Sequence, residues 1–299
     1  MISILIPTKD YDCHSLVEEL QRQCEESGFP YEILLGEDGT SAANLQKNII
    51  TDTLPYCRRI ISDCNIGRSN MRNMLANNAK HPYIIFIDSD AVVEKPDYIK
   101  SYINVLKNRN EVVCGGLYHC RHNENKQQSL RFKYEKKADK KRDAATRSIK
   151  PYNNFTTFNF AIRRELFLSI LFNSKIEKYG YEDVLFGKEL ERRGIKILHI
   201  NNKLLHNGLE ENSIFLKKTE ESINTLAQIE DLIVDTPLLN ASRKINKLHL
   251  EGLFIFMWNI FHKIIKKNLL GSNPNLTLFN IYKLGLYYTI KQQNHNLCQ

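Results

Sequence analysis

Apolar residues in the first two thirds of the chain fall in short runs, each closed by polar residues. Ile2 to Ile6 is a β-branched run ended by Pro7, the pattern of a strand buried on both faces. Tyr31 to Leu35 repeats it and stops at Glu37-Asp38-Gly39-Thr40, and a third strand is expected at Cys57 to Ser62. Tyr83 to Ile87 is the strongest strand pattern and ends at Asp88. Between these runs the spacing becomes helical. Leu16, Val17, Leu20 and Cys24 share one face of a helix over His14 to Glu26, and Met71, Leu75 and Ala79 one face of a helix over Asn70 to Asn78. Further strands are predicted at Val112 to Tyr118, Phe155 to Ile162 and Lys196 to Ile200. Further helices are predicted within Ala91 to Arg109, over Arg164 to Phe172, and from the Tyr179 to Asp183 segment to about Arg193, with Gly194 as cap.

Strands alternating with helices imply a parallel α/β sheet with right-handed crossovers. Ligands of such sheets sit beyond the carboxyl ends of the strands. Four polar clusters fall at those ends: Thr8-Lys9-Asp10, Glu37-Asp38-Gly39, Asp63 to Arg68, and Asp88-Ser89-Asp90. Arg121 to Pro151 is rich in Lys and Arg and poor in large apolar residues, so an exposed, partly mobile loop is expected there. After about 210 the pattern turns helical, with segments at Thr219 to Val234, Arg243 to Leu269 and Leu276 to Ile290. The expected division is a catalytic domain over 1–210 and a helical extension over 211–299.

The 299 residues carry a net charge of +8, which points to anionic partners without choosing among them. The seven cysteines form no CxxC pair, which suits reduced thiols and argues against a structural zinc site. The N-terminus has no basic segment ahead of a signal-like hydrophobic stretch, and no run approaches the roughly 20 apolar residues of a membrane span. A cytoplasmic location follows as the expectation.

Asp88 and Asp90, two apart at a strand end, can reach one divalent cation directly or through water. Mg²⁺ and Mn²⁺ favour such carboxylate, water and phosphate oxygens. The same pair could also be a solvated turn or helix cap, and the strand before it favours the metal.

Here the chain resembles a family 2 glycosyltransferase with the GT-A fold, over residues 1 to about 207. Ile4-Leu5-Ile6-Pro7-Thr8 is similar to the family's first strand, and Glu32 to Thr40 to its second strand and acidic turn. Asn65-Ile66-Gly67-Arg68 with Met71-Arg72-Asn73 is similar to its Asn-x-Gly and Arg-Asn segment. Tyr83 to Asp90 resembles the DxD strand, and Tyr179 to Asp183 the Gly-x-Glu-Asp motif. The resemblance implies a mixed, mostly parallel sheet that binds a nucleotide diphosphate sugar, most simply a UDP-sugar. It implies that Pro7, Thr8, Asp38, Gly67, Arg68, Arg72, Asp88 and Ser89 line the donor site, although Glu37 stands where the family usually has Asp. It makes Asp90 a direct ligand of Mn²⁺ or Mg²⁺, with Asp88 near ribose or a metal-bound water and His206 a further ligand. Asp183 becomes the general base, Glu182 a holder of an acceptor hydroxyl, and Asn159 part of the acceptor pocket. Each has a plainer alternative: a turn residue for Asp38, a surface residue for Arg72, a structural His206, a helix cap for Glu182-Asp183 and a strand-face Asn159.

The implied reaction is a single inverting displacement onto a saccharide or lipid-linked acceptor, in surface polysaccharide synthesis. The Gln-x-x-Arg-Trp segment of processive members is missing, since the one Trp is Trp258. The main rival is a sugar-nucleotide nucleotidyltransferase, which needs a Gly-rich, Arg-containing loop after the first strand, and Pro7-Thr8-Lys9-Asp10 is not one. A non-catalytic nucleotide-binding protein is the other. The amphipathic 243–269 stretch could lie on an anionic membrane at its inner face, or pack in the fold or a homodimer. The basic loop lacks the aromatic interleaving of a nucleic-acid surface, so no nucleic-acid partner is expected.

Overall fold

A computed structural model describes residues 1–119, 122–173, 180–233 and 236–297. Tyr179, Cys120, Arg121, Val234 and Cys298 lie outside the described residues. The first half runs β1 (Ile2–Thr8), α1 (His14–Ser27), β2 (Tyr31–Asp38), α2 (Ala42–Lys47), β3 (Cys57–Ser62), α3 (Arg68–Asn78), β4 (Tyr83–Ile87), β5 (Ala91–Val92), α4 (Tyr98–Leu106), β6 (Val112–Cys114) and β7 (Leu117–His119). Then follow α5 (Ser129–Asp139), α6 (Ala144–Ile149), β8 (Asn159–Arg163), α7 (Arg164–Ile170), α8 (Glu182–Arg192), β9 (Ile197–His199) and β10 (Leu204–His206). The last elements are helices: α9 (Asn212–Ile229), α10 (Pro237–Lys247), α11 (Glu251–Leu270) and α12 (Leu276–Leu297).

The chain forms two compact units. The first holds Met1–Cys120, Asp139–Glu177 and Glu182–Gly208. Its main sheet has seven strands in the order β3-β2-β1-β4-β8-β6-β9. Only β8 runs against its neighbours, so the sheet is mixed and mostly parallel. Every residue of β2 is buried, as expected of a strand covered on both faces. One face packs on α1 and α4 around Ile4, Ile33 and Ile85, the other on α3 and α7 around Leu34, Phe86 and Phe160.

A second sheet of three strands, β5-β10-β7, sits in the same unit. The segment predicted as one strand over Val112 to Tyr118 is split by Gly115 and Gly116, so β6 serves the large sheet and β7 the small one. Pro7 does not end β1: its pairing with β4 has already stopped at Leu5, so the missing N–H costs no ladder bond there.

The second unit holds Arg121–Ala138, Lys178–Tyr181 and Leu209–Gln299. Leu130, Phe215, Trp258, Ile265, Leu269 and Phe279 form its core. A Cβ at Gly285 would collide with the Trp258 ring, so glycine on α12 lets that indole lie flat against the helix. The Glu220 carboxylate takes bonds from Tyr282 at 2.5 Å and Lys266 at 3.1 Å, joining α9, α11 and α12.

Two expectations need correction. The basic 121–150 stretch is largely helical, because Leu130 is buried in the second unit's core and Arg131 lies 4.8 Å over the Phe215 ring. In the first unit Arg147 is buried as well, donating to the carbonyls of Gly115 and Ile200 at 3.2 and 2.6 Å. The single helix read over 243–269 is two, α10 and α11, broken at Leu248–Leu250 with His249 at φ +54°.

Candidate active site

The carboxyl ends of β1, β2 and β4 and the start of α3 enclose a pocket of about 130 Å³. It is lined by Pro7, Thr8, Lys9, Asp38, Arg68, Met71, Arg72, Asp88, Ser89 and Asp90. Register explains the meeting: Thr8 pairs with Glu37 beside Asp38, and β1 also pairs with β4, whose end carries Asp88. A larger cavity of about 570 Å³ lies at the opposite edge, around Tyr31, Tyr56 and Lys80, away from these residues.

Asp38 organises the wall. Its Oδ1 accepts from Ile66 N at 2.6 Å and its Oδ2 from Gly67 N at 3.0 Å, fixing the loop into α3. Gly67 therefore holds the wall in place rather than lining it. Arg72 then projects from α3 and is buried, 1% exposed. One amino group meets Asp88 Oδ1 at 2.5 Å, and the guanidinium lies 5.6 Å over the Phe172 ring. Its Nε and Nη1 make no hydrogen bond within the described residues. Buried donors left without acceptors cost free energy, so they suit an anionic ligand. Thr8 Oγ1 and Glu37 Oε2 are likewise buried without partners, while Asn48 occupies the other Glu37 oxygen at 2.8 Å.

The two aspartates of the DxD diverge. Asp88 turns back to Arg72, with Oδ1 in an ion pair to its guanidinium, on the side of the pocket away from His206. Asp90 turns to His206, with Oδ2 to Nε2 at 3.2 Å. The small sheet makes that pairing: β5 and β10 run antiparallel with His206 opposite Ala91. Burial raises the Asp90 carboxyl, but the His206 hydrogen bond and charge, with Arg68, outweigh it and leave it below the usual range.

The donor set fits a divalent cation. A carboxylate and an imidazole face one point, and a Cβ at Gly208 would collide with Asp90 Oδ2, so glycine keeps that point open. Among the described residues no three or more His, Cys, Asp or Glu gather as a complete metal site. Asp90 and His206 would therefore share an ion with phosphate oxygens and water, the mixed set that Mn²⁺ accepts. His119, which the sequence reading missed, pairs with His206 in register, and the two rings meet at a tilt with centroids 4.9 Å apart. The His119 Nδ1 is 3.1 Å from Asp139 Oδ1.

Glu182 opens α8, with Oε1 3.9 Å from Arg72 and 4.0 Å from Arg68. Asp183 follows and accepts from Val184 N at 2.8 Å. Burial, with the Glu182 charge, pushes the Asp183 carboxyl up to about 7. Asn159 is a correction. It is 0% exposed, and its side chain bonds Tyr98 and Tyr102 hydroxyls at 2.7 Å and two carbonyls at 2.8 Å. These four bonds use all of its capacity, which makes it a structural strand residue in this structure.

The family model described as Glycosyl transferase family 2 matches residues 3–171, more than half of the chain. The chain belongs to glycosyltransferase family 2. No curated protein matches this glycosyltransferase in sequence. Among solved structures it is similar to S. aureus TarS 1-349 in complex with UDP-GlcNAc, at 14% identity and a TM-score of 0.54, over 99% of this chain and 91% of that one. It is also similar to the mannosyltransferase PcManGT from Pyrobaculum calidifontis in complex with GDP-Man and Mn²⁺, at 12% identity and a TM-score of 0.54, over 99% and 75% of the chains. At such identities the likeness establishes the GT-A fold of this glycosyltransferase and nothing finer.

Proposed function

We propose that this glycosyltransferase moves one sugar per encounter, with inversion, from a UDP-sugar to a hydroxyl of a saccharide or lipid-linked acceptor. The observation that carries the reading is the Asp90–His206 pair at 3.2 Å beside a buried Arg72 with unused donors. The nucleotide sugars bound by TarS and PcManGT, and the Mn²⁺ of the latter, support a donor and ion of the same kind.

In this reading Pro7, Thr8 and Asp38 bracket the nucleoside, Asp88 and Ser89 lie along the ribose, and Arg72, Arg68 and Lys9 face the phosphates. Bound by Asp90 and His206, Mn²⁺ or Mg²⁺ supplies Lewis-acid relief of the charge on the departing diphosphate. Glu182 holds the acceptor. Asp183 takes the proton of the attacking hydroxyl as its oxygen bonds the anomeric carbon. The bond from that carbon to the diphosphate breaks, and its electron pair leaves with the nucleotide. A single displacement inverts the centre, and no carboxylate nucleophile is needed. The five described cysteines are all free thiols, which suits a reducing cytoplasm, and surface polysaccharide synthesis is the setting we assign.

A thermal-shift screen of UDP, GDP, CMP and their sugars, with and without Mn²⁺, tests the donor. UDP ligands with Mn²⁺ should raise the unfolding midpoint, and no response to any of them overturns the donor choice. Asp90→Ala should abolish turnover and metal-dependent nucleotide binding. Survival of both would remove Asp90 from the site.

A further inference from the structure

Helix α11 has two unlike apolar faces. Trp258, Ile265 and Leu269 are buried in the core of the second unit. On the other side Leu253, Phe256, Met257, Ile260, Phe261 and Ile264 are each between 41% and 66% exposed. Their steps of three and four make one continuous stripe down the helix. A soluble surface leaves single hydrophobic residues exposed, whereas a contiguous stripe marks a contact.

Charge indicates what covers it. Lys263 and Lys267 fall along one edge of the stripe, and neither pairs with a carboxylate among the described residues. From Pro237 to Leu270 there are six Lys or Arg and a single acid, Glu251, which sits in the first turn of α11 on the side away from the stripe. Lys244 and Lys247, on α10, are exposed too. A second copy packed on this stripe would set Lys263 and Lys267 against an apolar face with no carboxylate to receive them, and burying unpaired ammonium groups is costly. A bilayer with anionic headgroups meets both needs, with apolar side chains in the acyl boundary and lysines at the phosphates.

We propose that this face of α11 lies on the surface of an anionic phospholipid bilayer. Among the described residues no helix is long and apolar enough to cross one, so the contact is peripheral. It stands independently of which sugar is transferred.

Co-sedimentation of the full chain with vesicles of phosphatidylcholine, alone or with phosphatidylglycerol, tests the proposal. The chain should pellet with the anionic vesicles and be released by high salt. Phe256→Ser with Ile260→Ser, and Lys263→Glu with Lys267→Glu, should each weaken partition at least about tenfold. Both pairs lie on the exposed side, so unfolding midpoints and release of UDP from a soluble donor should match the parent. The proposal falls if the parent chain stays in the supernatant with anionic vesicles, or if the Phe256 and Ile260 variant binds as the parent does. It also falls if the parent is a dimer that this variant splits without any vesicle binding, which would assign the stripe to a second copy.

Discussion

The protonation of Asp183 gives the sharpest test of the proposed chemistry. Only an ionised carboxylate can take the proton of the attacking hydroxyl. Burial and the Glu182 charge push Asp183 up to about 7, so it is part protonated at neutral pH. Turnover should therefore rise with pH through that value and level off above it. One pH unit below, about a tenth of the molecules carry the charge, so kcat/KM should stand about tenfold under the plateau. Glu182→Gln removes the like charge but keeps the burial and the opposing pull of Arg72, so the acid limb should move to lower pH. Asp183→Asn should cut turnover by about a hundred- to ten-thousandfold and spare Mn²⁺-dependent UDP binding. The assay is the initial rate of UDP release at saturating Mn²⁺, between about pH 5 and 9. A flat profile, a limb unmoved by Glu182→Gln, or normal turnover in Asp183→Asn would refute the assignment.

Three other outcomes follow from the packing. Asn159→Ala strands two tyrosine hydroxyls and two carbonyls, so urea unfolding should show a loss of about 3 kcal/mol or more with donor binding retained; an unchanged midpoint with a raised acceptor KM would restore it to the acceptor pocket. Gly208→Ala drives a methyl into Asp90 and should lower Mn²⁺ affinity, read by calorimetry, without loss of fold. His119→Ala removes the ring beside His206 and should weaken Mn²⁺ binding by about tenfold; unchanged affinity would make the ring contact one of packing only.

The centre of the large sheet was legible because β1, β2 and β4 are apolar runs that are almost wholly buried, and those runs stop where polar residues meet the pocket. Periodicity and strand ends suffice for such elements. What escaped depends on partners distant in the chain. His119 gains its place only when β7 and β10 pair, and nothing near it in sequence signals that. Asn159 reads as a polar strand position until Tyr98 and Tyr102, two helical positions some 60 residues earlier, bring their hydroxyls to it. Arg147 sits in a basic run that looks solvated, yet carbonyls from two strand ends draw it inside. The break at Leu248–Leu250 carries neither glycine nor proline, and His249 takes the left-handed turn instead.

The Asp88-Ser89-Asp90 segment is where the chain leaves one sheet and enters another. Asp88 hangs from the end of β4 and is tethered to α3 by Arg72, whereas Asp90 leads into β5 and is tethered to β10 by His206. The one-residue gap in the motif is thus the width of a seam between two sheets. Each aspartate therefore brings its own sheet to the shared pocket.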